Sequence, residues 1–468
     1  MTPLTPDICV IGAGSAGLTV AAAAANFGQD VVLIERDLMG GDCLNYGCVP
    51  SKALIAAARH AACAREGARF GVHAEPRIDF PAVHHHVRGT IDSIAPHDSV
   101  ERFESLGVTV LRADARFVDG ETVVAGGTRI KARRFVIATG SRPRIPSIEG
   151  LEWCDPLTNE SVFDLTRLPA RLAIIGAGPI GVELGQAFAR LGSQVTIVDP
   201  SGLLRHEDPA AVAVVRAAMT ADGVDLLEGV GISRCGREDG VTTLTLGDGR
   251  RLEVDAVLAA TGRRANIEDL DLEAAGVRFD DSGIVINQGL RTSNRRIYAI
   301  GDVTGGLQFT HVAGHQASLV VRSIVFRLPV KYDPDLMPRV TYTDPEIAQV
   351  GLTEGEARDR DPRTTAETVP LSGNDRARTD CETAGFVKLV ISGRGKLVGA
   401  TIVAPNAGEM SATYALALAG RVKLSTLAAF VPAYPTLAES GKRAAINHFA
   451  AKLDKGWVRQ VLGILRRI

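Results

Sequence analysis

The sequence predicts an α/β protein: two parallel-sheet units built on one strand–turn–helix–strand pattern, then a separate α+β domain. Three observations carry this. Ile8-Cys9-Val10-Ile11 is a short apolar run of the kind that forms a buried parallel strand. It leads directly into Gly12-Ala13-Gly14-Ser15-Ala16-Gly17, an Ala-rich helix to about Phe27, Gly28, and a second strand Val31-Val32-Leu33-Ile34 ending in Glu35. The pattern then recurs 164 residues later without a gap: Gly176, Gly178 and Gly181 match the three glycines, Gly192 matches Gly28, and Asp199 matches Glu35. Finally, the character changes near Tyr332. Thr341–Glu346, Phe386–Val390 and Leu397–Val403 read as antiparallel strands, and helices near Gly408–Leu418 and Leu437–Phe449 would cover them.

Each element has a local reason. Strand, Gly-x-Gly-x-x-Gly, helix, strand and acid form the pattern that lets a pyrophosphate approach a helix N-terminus while the acid accepts from a ribose 2′-OH. The stretch Gly40-Gly41-Asp42-Cys43-Leu44-Asn45-Tyr46-Gly47-Cys48-Val49-Pro50-Ser51-Lys52 holds two cysteines four residues apart, followed by the apolar helical run Ala53–Ala58. Pro50 suits a helix start, because its missing N–H would be unpaired there. Cys48 is therefore expected at a helix N-terminus, where a thiolate is favoured, with the Lys52 cation one turn on. That reads as a redox-active disulfide. A helix is expected over Pro81 to about Leu106, and Ser141–Pro146 reads as a linker. Strand-rich stretches from Val108 and from Val224 read as β-meanders that return to their parent sheets, both ending in Ala-Thr-Gly, at 138–140 and 260–262. Ile297–Ile300 reads as a strand ending in Gly301-Asp302, a place for a buried acid to meet a cofactor hydroxyl.

Bulk properties narrow the function. The chain has 468 residues, too many for one core, with 46% hydrophobic and 23% charged residues. A net charge of −2 gives no electrostatic reason to expect nucleic acid as a partner. Seven scattered cysteines do not read as a secreted disulfide framework. The N-terminus has no basic n-region, and nowhere do 18 apolar residues run together, so a cytoplasmic protein is expected.

On these residues the chain resembles the pyridine nucleotide–disulfide oxidoreductases with a Cys-x4-Cys centre, which include dihydrolipoamide dehydrogenase, glutathione reductase and mercuric reductase. The resemblance implies two Rossmann-like (FAD and NAD(P)) nucleotide-binding domains plus a C-terminal α+β dimerisation domain. Residues 1–150 would be the FAD-binding domain, completed by the central segment 263–335. Residues 151–262 would bind NAD(P), and 336–468 would form the dimer interface of a homodimer whose active site is shared between chains. Gly12, Gly14, Gly17, Glu35, Lys52, Gly140, Asp302 and Ala313 would then hold FAD. Gly176, Gly178, Gly181, Glu183, Asp199 and Gly262 would hold the nicotinamide cofactor. Cys48 would lie against the flavin, Cys43 would meet a small-molecule acceptor, and Lys52 would pair with Glu183. The acid at 199 favours NADH over NADPH, although Arg205 keeps NADPH open.

The chain departs from the family in three places. Disulfide-reducing members carry a His-Pro near the C-terminus with a Glu five residues after the His. Here Tyr434-Pro435 and Glu439 stand there, and a tyrosine titrates near pH ~10, which makes it a poor proton shuttle. Asp42, where many relatives have Thr, is expected to disfavour the Cys43 thiolate. The terminal cysteine pair of mercuric reductase is missing, since the last cysteine is Cys381. The acceptor therefore stays open between a thiol/disulfide or other oxidant, a metal ion, and the substrate of a dihydrolipoamide dehydrogenase-type subunit. Tyr434 is either catalytic or an interface packing residue. No metal site is expected, and His84-His85-His86 reads as a solvated helix face. Cys9, Cys63, Cys154, Cys235 and Cys381 read as small buried hydrophobes. From Lys452 the apolar and basic residues alternate as an amphipathic helix. It is expected to dock on its own domain, with weak peripheral membrane contact as the alternative.

Overall fold

Ile8–Ile11 lies at the centre of a five-stranded parallel sheet in the order Ile297–Ala299, Arg134–Ile137, Ile8–Ile11, Val31–Glu35 and Thr109–Arg112. The computed structural model of the chain describes residues 3–238 and 241–453, together with Ile464 and Arg466. All four residues of the central strand are buried, as a strand covered on both faces requires. Helix Ser15–Asn26 follows it and packs against Thr310–Val325. A three-stranded antiparallel meander, Ala115–Asp119, Thr122–Ala125 and Thr128–Ile130, leads back to the sheet at Arg134.

The second unit repeats this plan. Its parallel sheet runs Asp225–Glu228, Gln194–Asp199, Arg171–Ile175 and Ala256–Ala259, with helix Pro179–Leu191 after the glycine turn. Its meander is Ile232–Glu238, Val241–Leu246 and Arg251–Val254. The two Ala-Thr-Gly stretches have a shared purpose. A Cβ on Gly12 would lie 2.3 Å from the Ala138 carbonyl oxygen, and one on Gly176 would lie 2.4 Å from that of Ala260. Each meander thus returns to close on the first glycine of its own turn. Gly17 and Gly181 are just as tight, with a Cβ placed 1.8 and 2.0 Å from the carbonyl oxygens of Gly12 and Gly176. The connectors Ser141–Pro143 and Arg263–Ala265 pair antiparallel between the two halves. Ser141–Pro146 is thus partly a strand rather than a free linker, because Arg144 N–H also donates to the Gly262 carbonyl at 2.9 Å.

The expected helix over 81–106 is broken. Phe80–Ile94 and Val100–Ser105 are separate, with Asp79 and Ser99 capping their starts through side-chain acceptors. Pro96 removes a donor between them, and Ser99 offers its hydroxyl to the Arg102 N–H, which starts the second helix afresh.

The molecule divides into two compact units, Met1–Pro200 with Asp225–Asp333, and Ser201–Val224 with Pro334–Ile468. The second is a five-stranded antiparallel sheet in the order Arg339–Thr341, Glu346–Gly351, Leu397–Ala404, Phe386–Ile391 and Thr365–Pro370, with helices Ala407–Ala419 and Glu439–Leu453 on it. Of the strand expected at Thr341–Glu346, only the end residues lie in strands, and 342–345 form the turn between the first two strands. Helix Pro209–Ala221 belongs to this unit, although it lies in sequence between two strands of the second parallel sheet. It packs on Glu346–Gly351 and Leu397–Ala404. The expected basic C-terminal helix falls almost wholly outside the described residues. Among the described residues, no helix is long and apolar enough to cross a membrane.

Candidate active site

The two cysteines are positioned by the first glycine turn. Gly40 N–H donates to the Ala13 carbonyl at 3.0 Å. A Cβ on Gly41 would lie 2.8 Å from the Gly14 Cα, and Gly41 has φ +58°. Only paired glycines let the cysteine loop lie this flat across the turn. Cys43 then falls in the short helix Gly41–Asn45, and Cys48 is the first residue of helix Cys48–Glu66, with Gly47 as its cap. That helix packs on Pro179–Leu191, which brings Lys52 Nζ to 2.7 Å from Glu183 Oε2.

Cys43 and Cys48 are present as thiols, half-buried and exposed respectively. Cys43 donates its S–H to the Cys48 sulfur, and this is the main reason the Cys48 thiol is pulled down to about 6, against its partial burial and with help from Thr310 and Lys52. The same hydrogen bond, joined by burial, pushes the Cys43 thiol up. The pair therefore holds one proton asymmetrically, with the thiolate on Cys48. Thr310 Oγ1 lies 3.3 Å from the Cys48 sulfur. Thr310 and Ser15 both also hydrogen-bond Cys43. Sequence reasoning missed these two hydroxyls. Each is the first residue of its helix, and nothing in the linear order of Thr310 points across 262 positions to Cys48.

Asp42 does not act on Cys43 as expected. Its Oδ1 lies 3.0 Å from Arg263 Nη2 and accepts from Asn159 Nδ2 at 2.9 Å. The groups that raise Cys43 are Cys48 and burial. Arg263 is almost wholly enclosed, at 10% side-chain exposure, and its Nε donates to Ser141 Oγ at 2.7 Å. Ser141 in turn donates to Asp302 Oδ2 at 2.6 Å. Burial pushes the Asp302 carboxyl up, against Ser141 and Arg263. One guanidinium thus joins the cysteine loop to Gly301-Asp302. Arg263→Gln is expected to leave two carboxylates uncompensated beside the thiols and to move the thiolate titration to higher pH. Arg263→Gln/Asp42→Asn is expected to bring it back part of the way, a coupling of about 1–2 kcal/mol. The pH dependence of alkylation in the NADH-reduced protein measures both.

The remaining expected residues divide by what surrounds them. Glu35 Oε2 accepts from Ala13 N–H at 2.6 Å, and Asp199 Oδ2 accepts from Ala177 N–H at 2.8 Å, so each acid is locked onto its own turn. Gly14, Gly140, Gly178 and Gly262 face open space, where an added Cβ would meet nothing within 4 Å. Among the described residues no packing requires Gly14 or Gly178, whereas Gly140 at φ +69° and Gly262 at φ +110° hold a left-handed backbone that itself favours glycine. Helices Ser15–Asn26 and Pro179–Leu191 also have no side-chain cap at Gly14 and Gly178. Uncapped helix starts behind open glycines suit a pyrophosphate, so the residues fit FAD at the first glycine turn and NAD(P)H at the second. Ala313 is 7% exposed, and its methyl faces Gly301, so it packs the core beneath that strand end.

In the other compact unit, Tyr434 is 70% exposed, and its hydroxyl donates to Asp375 Oδ2 at 3.2 Å. That hydrogen bond, with the Asp375 and Glu439 charges, raises its pKa further. Glu439 begins helix Glu439–Leu453. Among the described residues, no three His, Cys, Asp or Glu gather as a metal site. Of the five cysteines read as buried hydrophobes, only Cys9 fits; Cys63 and Cys381 are exposed, and Cys154 and Cys235 are bonded to each other.

Comparison with known proteins agrees with this geometry. The family described as pyridine nucleotide-disulphide oxidoreductase matches residues 6–317, and its dimerisation domain matches 337–445, which supports formation of a homodimer. A mercuric reductase of Acidithiobacillus ferrooxidans is 40% identical over 452 residues, covering 94% of this chain and 82% of its own. A dihydrolipoyl dehydrogenase of Geobacillus stearothermophilus is 33% identical over 458 residues, covering 94% and 95%. The Cu(II) complex of the HOCl-induced flavoprotein disulfide reductase RclA from Escherichia coli aligns with a TM-score of 0.84 at 26% identity, covering 93% of this chain and 98% of its own.

Proposed function

The chain belongs to the pyridine nucleotide–disulphide oxidoreductase family, FAD-dependent enzymes with NAD(P)H as electron donor, and from that premise we propose that it carries electrons from NADH through Cys43 and Cys48 to a thiophilic metal ion rather than to an organic disulfide. FAD, when bound, takes the two reducing equivalents of NADH and passes them to the sulfurs. The chain supplies the rest. Lys52, on the helix that begins with Cys48, forms an ion pair at 2.7 Å with Glu183 on helix Pro179–Leu191. Thr310 and Lys52 hold the negative charge on Cys48. Asp199 favours a ribose 2′-OH and would repel a 2′-phosphate, while Arg205 directs its Nε to His206.

The observation that carries the choice of acceptor is Tyr434. Reduction of an organic disulfide releases a thiolate that needs a proton. A hydroxyl already committed to Asp375, with its pKa raised, stays neutral and does not cycle at neutral pH. A soft metal ion needs no such proton. It displaces the proton of Cys43 and binds the two sulfurs, and closure of the pair to a disulfide delivers two electrons, to one Hg(II) or to two Cu(II) in turn. The mercuric and Cu(II)-binding relatives lend support to this reading.

The test is steady-state turnover of the purified holoenzyme with NADH and NADPH against Hg(II) in excess small thiol, Cu(II), lipoamide and glutathione disulfide. NADH with a metal ion is expected to be fastest. Lipoamide is expected to be slower by about 10²-fold or more, and Tyr434→His is expected to raise it. Fast lipoamide turnover that Tyr434→Phe leaves unchanged overturns the proposal.

A further inference from the structure

Two cysteines outside this site are bonded to each other, Cys154 and Cys235, across 81 residues of sequence. We propose that they form a second, structural redox site: a disulfide that staples the second nucleotide-binding unit, stays closed during NADH turnover, and makes the stability of that unit depend on the surrounding thiol–disulfide balance.

The bond encloses a defined piece of the fold. Between 154 and 235 lie the strands Arg171–Ile175 and Gln194–Asp199, the helix Pro179–Leu191, and with them Gly176, Gly178, Gly181, Glu183 and Asp199. Closing so long a loop restricts the unfolded chain strongly. The backbone delivers the two sulfurs to each other. Cys235 N–H donates to the Glu149 carbonyl at 2.7 Å. Gly150, at φ +76°, comes so close that a Cβ there would lie 2.1 Å from the Cys235 carbonyl oxygen. Residues 149–150 are therefore pinned to strand Ile232–Glu238, and the turn Leu151–Cys154 returns its last side chain onto that strand.

The chemistry of the surroundings separates this pair from Cys43 and Cys48. Cys154 is 6% and Cys235 1% exposed, in a cluster with Leu151, Ala173, Ile175, Leu244, Val254 and Val257. Both sulfurs lie among buried apolar side chains, and a buried sulfur is closed to an attacking thiol. Cys48 has Thr310, Lys52 and a helix N-terminus. Formation balances with a small disulfide as oxidant. One cysteine thiolate attacks it and releases one small thiol. The second cysteine then displaces the other, so two electrons and two protons leave the protein. Dithiothreitol reverses the exchange when the unit opens.

The experiment is peptide mapping after alkylation, on holoenzyme purified without reductant, before and after excess NADH. Melting follows, with and without dithiothreitol, for the wild type and for Cys154→Ala/Cys235→Ala. The 154–235 linkage is expected in both maps, while the peptide carrying Cys43 and Cys48 changes from disulfide to alkylated thiols. Dithiothreitol is expected to lower the first wild-type transition by about 5–10 °C. The double variant is expected to melt like the reduced wild type in either condition, with unchanged turnover. Free alkylated Cys154 and Cys235 in untreated protein, or loss of the linkage on NADH alone, overturns the proposal. These maps read the linkage itself and are independent of which acceptor the enzyme uses.

Discussion

Cys48→Ser is expected to lower NADH-driven reduction of any acceptor by roughly three orders of magnitude or more, with NADH binding retained. The size of the effect follows from the asymmetry of the pair. Cys43 keeps its proton and donates a hydrogen bond to Cys48, so the charge that Thr310 and Lys52 also stabilise resides on residue 48. A serine hydroxyl neither ionises near neutrality nor closes a bond to sulfur, and the two electrons then have no route out of the site. Cys43→Ser is expected to block acceptor reduction as severely and, in addition, to remove the hydrogen bond that lowers Cys48. Its remaining thiol is expected to titrate above the wild-type value. The sign is fixed by that depression. A thiol lowered to about 6 is mostly protonated below pH 6 and mostly thiolate above it. The long-wavelength absorbance of NADH-reduced wild-type protein is expected to rise with pH through about 6. It is expected to be absent in Cys48→Ser and to persist in Cys43→Ser with a higher midpoint. An unchanged band in Cys48→Ser would remove the assignment of the thiolate to that residue.

Lys388→Met is expected to destabilise the C-terminal unit by about 3–5 kcal/mol, read as a shift in denaturant midpoint or melting temperature. Lys388 sits in the middle of strand Phe386–Ile391, with its side chain 10% exposed. Its ammonium lies 2.7 Å from Asp208 Oδ2 and 3.0 Å from Glu354 Oε2. Asp208 is only 3% exposed and also caps helix Pro209–Ala221 by accepting the Ala210 N–H at 2.9 Å. Without the ammonium, a carboxylate remains buried with a single backbone donor, and the helix loses its anchor on the sheet. Removing the partner charge as well tests this account. Lys388→Met/Asp208→Asn is expected to recover much of the loss, because a buried neutral amide still caps the helix and no charge is left unpaired. Equal destabilisation by the single and double variants would show that lost packing, not an orphaned charge, is responsible.

The local chemistry of this protein was written in consecutive residues. Glycines at 12, 14 and 17, repeated at 176, 178 and 181, specify their turns, because close approach of backbone to backbone is a property of a few neighbouring positions. The start of a helix at Cys48 followed from Gly47, Pro50 and the apolar run after them. The helix break between Ile94 and Val100 was not read, although Pro96 and the Ser99 cap mark it. Beyond Lys52 and the helix start, what surrounds the thiols was not legible. Thr310, Ser15 and Arg263 reach Cys43, Cys48 and Asp42 only after separate strands and helices have packed, so their spacing along the chain carries no period to read. The same holds for the Cys154–Cys235 bond, which needs residues 149–150 pinned to a distant strand, and for helix Pro209–Ala221, drawn to the C-terminal sheet by one buried lysine. The sequence alone determined the turns, the repeat and the reactive pair, because neighbouring atoms dictate backbone conformation. Only the tertiary structure decided which charges and hydroxyls meet the sulfurs, because burial and distance between remote segments set a thiol's proton affinity and a carboxylate's partner.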